Sequence, residues 1–459
     1  MNLLQNIATA QRTMPVIRVG GNSQYVNISP SISAHVVALQ NYVNHSHRDK
    51  AIYDASLTEA TAGSCPSDSK AALCIGKTFF DSYGTFPGAK YSHGFNLAMN
   101  YGSHASTLSG TVPLVCKAIS PDQLNVWEYG NEPNLYIGKS RPADWNEEDY
   151  VKEWQNGADS ISSLIQKNCP DHASVFMAPS LSGTKSSLNP VTVFNKGLNK
   201  GNLVKQISVH NYISGAKTPG VSMNTLLSHS ITVNSINAHV ALAKSLSSQG
   251  ADYILGEHNS LYNGGAVGIS NTFGAALWVV DVALYSASTN VIKRLHYHQS
   301  IGAAYTAWTP SGNAATHPPY YGKLAAATFL GDSSKVFVKQ FSTKDDHEST
   351  YAAYEGSSLV RLAVLNMREH AASASGRQSQ TYTFQVKSGS TWELQRLTAM
   401  GSDSVNSITF NGFSYEYSSQ GKPSQVNGVP SNEKVVANSS GLLSFSVKDS
   451  EAVVAILTQ

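Results

Sequence analysis

The sequence predicts an α/β fold, a (β/α)8 TIM barrel followed by a C-terminal antiparallel β-sandwich domain. Strand-like runs alternate with helical patterns over roughly the first 330 residues, which is typical of parallel β/α units. Beyond that point the segments become short, alternating and rich in β-branched residues. We therefore predict a barrel at residues 1–330 and a sandwich at residues 331–459.

Eight strand-like runs, each bounded by turn residues, account for the predicted barrel. They are residues 16–21, 72–80, 90–98, 124–130, 173–181, 204–212, 251–257 and 291–298, of which 72–80 has the weakest pattern. A doubly wound open sheet is the alternative, but no GxGxxG sequence opens a first helix here.

Two segments between these runs have clear helical patterns. Asn146 is a good N-cap with Asp149 three residues further on. The apolar residues that follow have helical spacing: Tyr150, Trp154, Ala158, Ile161 and Ile165. Residues 273–287 are apolar on every side, so we expect that helix to be packed on both faces.

Short β-rich segments, separated by Gly, Ser, Asn and Asp, make up the predicted sandwich. They are residues 336–342, 350–356, 358–367, 380–387, 391–399, 407–418 and 442–459. No low-complexity linker precedes them, so we expect the sandwich to pack directly on the barrel.

Composition argues against several classes of function. The 459-residue chain has a formal charge of +2, which gives no basic field for nucleic acid or an anionic membrane. It has no apolar run of about 18 residues that spans a bilayer. Its 15 histidines are scattered without zinc spacing, so we predict neither a metal nor another cofactor. The abundant tyrosine, asparagine and serine suit a hydroxyl-rich ligand.

The cysteines and glycosylation sequons bear on the cellular compartment. Either Cys65 pairs with Cys74 and Cys116 with Cys169, or all four are free thiols, and both alternatives stay open. Sequons at residues 27, 44 and 438 slightly favour an extracellular protein. Residues 1–13 lack the pattern of a secretory signal peptide.

Two glutamates stand where the chemistry of a barrel collects, at the C-terminal ends of strands. Glu132 follows the fourth run and precedes Pro133, and Glu257 closes the apolar run 251–257. Carboxyl groups about 5–5.5 Å apart would make a glycosidase retaining, and a separation of roughly 6.5–9.5 Å would make it inverting.

Several stretches resemble glycoside hydrolase family 79, the β-glucuronidases and heparanase-like enzymes of clan A. They are RVGGNS (18–23), KYSHGFNLA (90–98), WEYGNEPNLY (127–136), SVHNY (208–212) and LGEHNSLYNGG (255–265). The resemblance implies that Glu132 ends strand four as the general acid/base and that Glu257 ends strand seven as the nucleophile. It also implies a C-terminal sandwich against the barrel.

The resemblance carries further roles at lower specificity. Asn131 would hydrogen-bond the sugar 2-hydroxyl, and Tyr212 would orient the nucleophile. Tyr262 and Tyr305 would hold the substrate carboxylate, and Asn22 would touch the sugar or simply belong to a tight strand exit.

Two further residues lie on the predicted strands, His210 and Arg18. His210 either lines the mouth or is a core histidine with satisfied hydrogen bonds. Arg18 is interpreted as a structural ion-pair partner.

The resemblance implies an exo-acting β-glucuronidase that releases terminal glucuronic acid or its 4-O-methyl ether, secreted and monomeric. An endo-acting heparanase-like glycanase and a non-catalytic carbohydrate-binding relative are the alternatives. Family members begin with a signal peptide and a strand that joins the sandwich. This sequence begins with neither, so we expect it to be truncated at its N-terminus.

Overall fold

A curled parallel sheet forms the first part of the molecule. The computed structural model describes residues 2–20, 77–98, 106–310 and 313–459, and short strands at 41–42, 51–53 and 73–75. Hydrogen bonds join seven parallel strands in chain order: β1 (Val16–Val19), β2 (Lys90–Phe95), β3 (Leu124–Tyr129), β4 (Phe176–Leu181), β5 (Val204–Gly215), β6 (Asp252–Tyr262) and β7 (Ile292–Tyr297).

One contact across this sheet shows that the sheet is strongly curved. Arg18 on β1 lies 3.0 Å from Glu257 on β6. In a flat sheet these strands would be about 24 Å apart, five spacings of roughly 4.8 Å each. The sheet is therefore a nearly closed, TIM-like barrel, and the predicted barrel is confirmed.

The prediction of a barrel strand at residues 72–80 was wrong. Leu73–Ile75 pairs with Ala51–Tyr53 in a separate two-stranded sheet, and Lys77–Thr85 forms a 3-10 helix. Phe79, Phe80 and Tyr83 are buried at a spacing that suits one face of a helix. In the described sheet, Glu132 therefore follows the third strand, and Glu257 lies on the sixth.

Eight α-helices are described: α1 (Asn2–Gln11), α2 (Ser106–Ala118), α3 (Glu147–Asn168), α4 (Pro190–Asn195), α5 (Met223–Leu227), α6 (His229–Ser245), α7 (Phe273–Ser288) and α8 (Pro318–Leu330). The predicted cap of α3 is confirmed, because the Asn146 side chain accepts hydrogen bonds from the amides of Glu148 and Asp149. The predicted apolar stripe of α3 is buried, and so is every residue of α7 from Phe273 to Ser286.

A disulfide joins Cys116 in α2 to Cys169 at the C-terminal end of α3. It therefore ties together two helices that follow neighbouring barrel strands. Cys65 and the side chain of Cys74 lie outside the described residues, so the other predicted pair is not addressed.

The C-terminal part contains two antiparallel sheets, and each predicted β-rich segment contributes to them. The larger sheet comprises Val336–Phe341, Glu348–Glu355, Ser358–Asn366, Thr391–Thr398, Thr409–Phe410, Phe413–Ser414, Ser424–Gln425, Glu433–Val436 and Glu451–Leu457. The smaller sheet pairs Ser379–Gln385 with Leu442–Lys448. The predicted sandwich is confirmed, although its two layers are unequal in size.

The larger sheet has two apolar faces because its residues alternate in direction. Ala352 packs with the smaller sheet around Trp392 and Phe445. The neighbouring Tyr351 and Ala353 point the other way and join the barrel core. The two parts thus pack directly on each other. The domain boundary between residues 330 and 331 stays a prediction.

Among the described residues, no helix combines the length and the apolarity needed to cross a bilayer.

Candidate active site

A tight turn after β3 aims Glu132 into the mouth of the barrel. Gly130 has a φ of 90°, and a side chain there would meet Leu97 at 2.7 Å. Glu132 has a φ of 47°, and its amide donates to the Ser180 carbonyl at 2.9 Å. A left-handed backbone is costly for a residue other than glycine, and such conformations concentrate at functional sites.

A β-bulge in β6 aims Glu257 into the same mouth of the barrel. The interval Leu255–His258 on β6 opposes Val209–Asn211 on β5 and Leu295–Tyr297 on β7, so three steps face two on each side. The extra residue breaks the alternation of side chains, so that the consecutive residues Gly256 and Glu257 both face the barrel interior, where a Cβ on Gly256 would meet Ser208 Oγ. Beyond the bulge, His258 packs outside the barrel against Trp278.

The two glutamates meet at this mouth. Glu132, His210 and Glu257 each offer one ligand-type atom, and these three atoms lie within 4.8 Å of one another. Glu132 is 8% exposed and Glu257 is 4% exposed. Both carboxylates are thus held close together and largely out of water.

Arg18 links the nucleophile candidate to two neighbours. Its guanidinium makes a two-pronged contact with Glu128 at 2.9 Å and donates to Glu257 Oε2 at 3.0 Å. It also donates to Asn131 Oδ1 at 2.6 Å. Burial lowers the pKa of Arg18, but Glu128 and Glu257 raise it more, so the net pKa is above its ordinary value. The interpretation as an ion-pair partner is right but incomplete, because one partner is Glu257.

The second oxygen of Glu257 has its own partners. Tyr212 donates its hydroxyl to Glu257 Oε1 at 2.8 Å, and His298 Nδ1 lies 3.3 Å from the same oxygen. Burial opposes ionisation of Glu257, yet His298, His210 and Arg18 together hold its pKa well below the ordinary value. Glu257 is therefore ionised, as a nucleophile must be.

His210 contacts the acid/base candidate. Its side chain is fully buried and its Nδ1 lies 3.1 Å from Glu132 Oε1. The structure therefore places His210 inside the site, beneath the mouth rather than on its rim.

Three aromatic side chains form one wall of the mouth. The rings of Tyr262 and Tyr305 each lie 6.4 Å from that of Tyr212. Tyr305 is 3% exposed and its hydroxyl lies 3.0 Å from His298 Nδ1, whereas Tyr262 is 48% exposed. Burial, followed by the Glu257 charge, raises the pKa of Tyr212 and of Tyr305, so both phenols keep their protons.

The structure brings together every predicted site residue that it describes. Asn131, Glu132, His210, Tyr212, Glu257, Tyr262 and Tyr305 all lie at this mouth. Asn22 lies outside the described residues.

Glu128 and His298 were missed from the sequence. Glu128 stands in the same stretch 127–136 as Glu132, and His298 closes the predicted run 291–298 just as Glu257 closes the run 251–257. The strand-end criterion applied to the last run would have found His298.

The trio Glu132, His210 and Glu257 is the one set of possible metal ligands close enough together among the described residues. Both oxygens of Glu257 already have hydrogen-bond donors. Because these donors occupy both oxygens, the site fits a carboxylate pair better than a metal centre, and the expectation of no metal stays a prediction.

Paired buried glutamates at the mouth of a TIM-like barrel define the class of protein as a glycoside hydrolase. Comparison with known proteins narrows this class. The β-glucuronidase of Aspergillus niger is 40% identical, covering 98% of this chain and 85% of that protein. The β-glucuronidase of Neurospora crassa is 36% identical, covering 92% and 80%. The glycosyl hydrolase family 79 C-terminal beta domain matches residues 350–454. The chain belongs to glycoside hydrolase family 79.

A solved structure supports the fold. The 4-O-α-L-rhamnosyl-β-D-glucuronidase of Fusarium oxysporum 12S has a TM-score of 0.78 and 24% identity. The match covers 99% of this chain and 91% of that one.

Proposed function

We propose that this glycoside hydrolase is a retaining exo-β-glucuronidase that releases terminal glucuronic acid, or its 4-O-methyl ether, by double displacement. The carrying observation is the separation of the Glu132 and Glu257 carboxylates, at most 4.8 Å between their nearest ligand-type atoms. So close an approach of the nearest atoms favours direct attack by a carboxylate, because the carboxyl groups are about 5–5.5 Å apart in retaining enzymes and roughly 6.5–9.5 Å apart in inverting ones. The relatives named β-glucuronidase support the sugar.

In the first step, ionised Glu257 attacks the anomeric carbon and the glycosidic C–O bond breaks. Protonated Glu132 gives its proton to the departing oxygen, so the aglycone leaves as a neutral alcohol. Arg18 and Tyr212 hold the two oxygens of Glu257 so that the carboxylate faces the sugar.

In the second step, water replaces Glu257 at the anomeric carbon. Glu257 is now an ester and carries no charge. Glu132 takes a proton from the water, the new C–O bond forms, and Glu257 leaves as a carboxylate. Two inversions give net retention. Asn131, held by Arg18, would hydrogen-bond the 2-hydroxyl in both transition states.

The substrate carboxylate would lie against the aromatic wall. Tyr305 keeps its proton at neutral pH, and Tyr262 is accessible from solvent. An endo-acting enzyme on a sulfated polyanion would need a basic cleft, and a net charge of +2 does not supply one.

A substrate panel tests the proposal. Nitrophenyl β-glucuronide, β-glucoside and β-xyloside are assayed side by side, with Glu257→Ala as control. Selective turnover of the glucuronide that vanishes in the variant is expected, and the first sugar product seen by NMR should be the β-anomer. Turnover of the neutral sugars alone would exclude the uronate assignment, and an α-anomer as first product would exclude retention.

We further propose an extracellular, monomeric enzyme. The Cys116–Cys169 disulfide supports an oxidising compartment. Asn438 is exposed and its sequon is accessible to glycosylation. A mobility shift on deglycosylation that disappears in Asn438→Gln checks the glycosylation, and size-exclusion chromatography checks the oligomeric state.

A further inference from the structure

The imidazole of His298, at the mouth, has one nitrogen with more hydrogen-bond partners than it can satisfy at once. Nδ1 of His298 lies 2.9 Å from the Tyr212 hydroxyl, 3.0 Å from the Tyr305 hydroxyl and 3.3 Å from Glu257 Oε1. The three oxygens come from three different segments of the chain. A neutral Nδ1 either donates or accepts, so its pattern of hydrogen bonds changes when the ring gains a proton.

The backbone holds this imidazole in place. The His298 amide donates to the His258 carbonyl at 2.8 Å, and Asn259 Nδ2 donates to the His298 carbonyl at 2.9 Å. Both tethers belong to β6, next to the bulge that aims Glu257. The side chain of His298 keeps 13% exposure, so its ring remains within reach of the mouth.

The charges around this ring are unbalanced for a negatively charged sugar. Arg18 carries one positive charge, and its two carboxylate partners, Glu128 and Glu257, carry two negative charges. A uronate bound at the aromatic wall would add a third negative charge to a largely buried site. Among the described residues, His298 and Arg18 are the basic side chains that contact Glu257, and Arg18 is already shared with Glu128.

We propose that His298 is the residue that adapts this active site to a charged sugar. Its protonated ring provides the positive charge that lets a substrate carboxylate lie beside the ionised nucleophile. In the same position it orients the Tyr212 and Tyr305 hydroxyls. This inference rests on the proposed function and adds a specificity-determining group to it.

Other groups that titrate or carry charge face the same space and enter the test. Glu257 and Tyr262 face it from β6, His210 and Tyr212 from β5, and Tyr305 from the segment after β7. Arg18 on β1 and Glu132 after β3 complete the set. His210 is the other imidazole in this set, so a variant of His298 is needed to separate the two.

The first experiment uses the unaltered enzyme. Glucuronic acid and glucuronamide, nearly equal in size but different in charge, are compared as competitive inhibitors between pH 5 and pH 8, where imidazoles titrate. The uronate stays ionised throughout this range. We expect the acid to bind at least about tenfold more tightly than the amide at the acidic end, and this advantage to shrink as pH rises. A ratio of inhibition constants that does not change with pH would overturn the inference.

The second experiment uses His298→Asn, whose side-chain amide occupies nearly the position of Nδ1 without a charge. The preference for the acid should disappear and become independent of pH, while the inhibition constant of the amide changes by less than about threefold. His370→Asn, in the sandwich, is the matched control and should behave as the unaltered enzyme. Equal weakening of both inhibitors in His298→Asn would reduce His298 to a structural role.

These readouts are independent of the proposed substrate. If the enzyme hydrolyses a neutral glycoside alone, the proposed function fails in the substrate panel. The inhibitor ratio, measured with whichever glycoside reports activity, still decides the role of His298.

Discussion

The barrel mouth and the interface between barrel and sandwich contain the same three residue types: a tyrosine, a carboxylate and a histidine. At the interface, Tyr351 donates its hydroxyl to Asp281 Oδ1 at 2.8 Å. His229 Nδ1 lies 3.0 Å from both oxygens of Asp281. Here the residues come from α6, α7 and the larger sheet, so the cluster joins the two parts of the molecule.

The two clusters differ in how completely their partners are satisfied. At the interface the second nitrogen of His229 contacts Gln340, and Asp281 has no exposed surface. At the mouth, one nitrogen of His298 is shared among three oxygens, and the neighbouring Tyr262 is half exposed. A cluster in which every group has its hydrogen-bond partner fastens elements together. At the mouth, the oxygens that compete for one nitrogen keep hydrogen-bonding capacity near solvent, so this cluster is able to receive a ligand.

The largest effect should follow from Glu257→Gln at the mouth. Removing the nucleophile abolishes the covalent step, so we expect kcat to fall by roughly 10⁴-fold or more. The fold should persist, because Arg18 keeps its contact with Glu128. Steady-state kinetics and the midpoint of thermal unfolding measure the two effects. A large drop in that midpoint would mean that the mouth is structural in the same sense as the interface.

Glu132→Ala should affect the two chemical steps unequally. We expect a loss of about 10²–10⁴-fold with an alkyl glucuronide and a smaller loss in the first step with an activated aryl glucuronide, because a good leaving group needs no proton. Added azide should restore turnover and give a β-glucuronyl azide. An α-azide product, or equal losses with both leaving groups, would contradict the assignment of Glu132.

Local patterns predicted the elements that are built from neighbouring residues. The cap at Asn146, the stripe on α3 and the strand-end position of Glu132 are readable within a few positions of the chain. The run at 72–80 failed because a short apolar run suits a strand and a helix equally, and its aromatic residues pack as a helical face.

Long-range geometry was beyond the sequence. The contact of Arg18 with Glu257 exists because the first and sixth strands approach when the barrel curls. The bulge at Glu257 is defined by its register with two neighbouring strands, and His298 acquires its partners from separate segments. Each of these depends on the closed tertiary structure.

Asp281→Asn tests the interface and should give the opposite pattern to Glu257→Gln. It leaves His229 without its buried counter-charge, so we expect the free energy of unfolding to fall by about 3–5 kcal/mol. The enzyme that remains folded should keep kcat/KM within about twofold, because Asp281 contacts His229 and Tyr351 and neither is a residue of the mouth. Denaturant titration and initial rates measure the two quantities. Loss of activity without loss of stability would show that the clusters are coupled.

The smallest effect concerns pH. Burial lowers the pKa of His229, but Asp281 raises it more, so the folded-state pKa lies above the ordinary value of 6.5. The protonated ring therefore stabilises the folded state fully below about pH 6.5, and this stabilisation is lost as pH rises through the higher folded-state pKa. The difference in unfolding midpoint between the unaltered enzyme and His229→Gln should consequently be largest at acidic pH and narrow towards alkaline pH. His370→Gln should show no such trend. A difference that stays constant or widens with pH would mean that His229 acts through packing alone, since only the interaction of its charge with Asp281 depends on protonation.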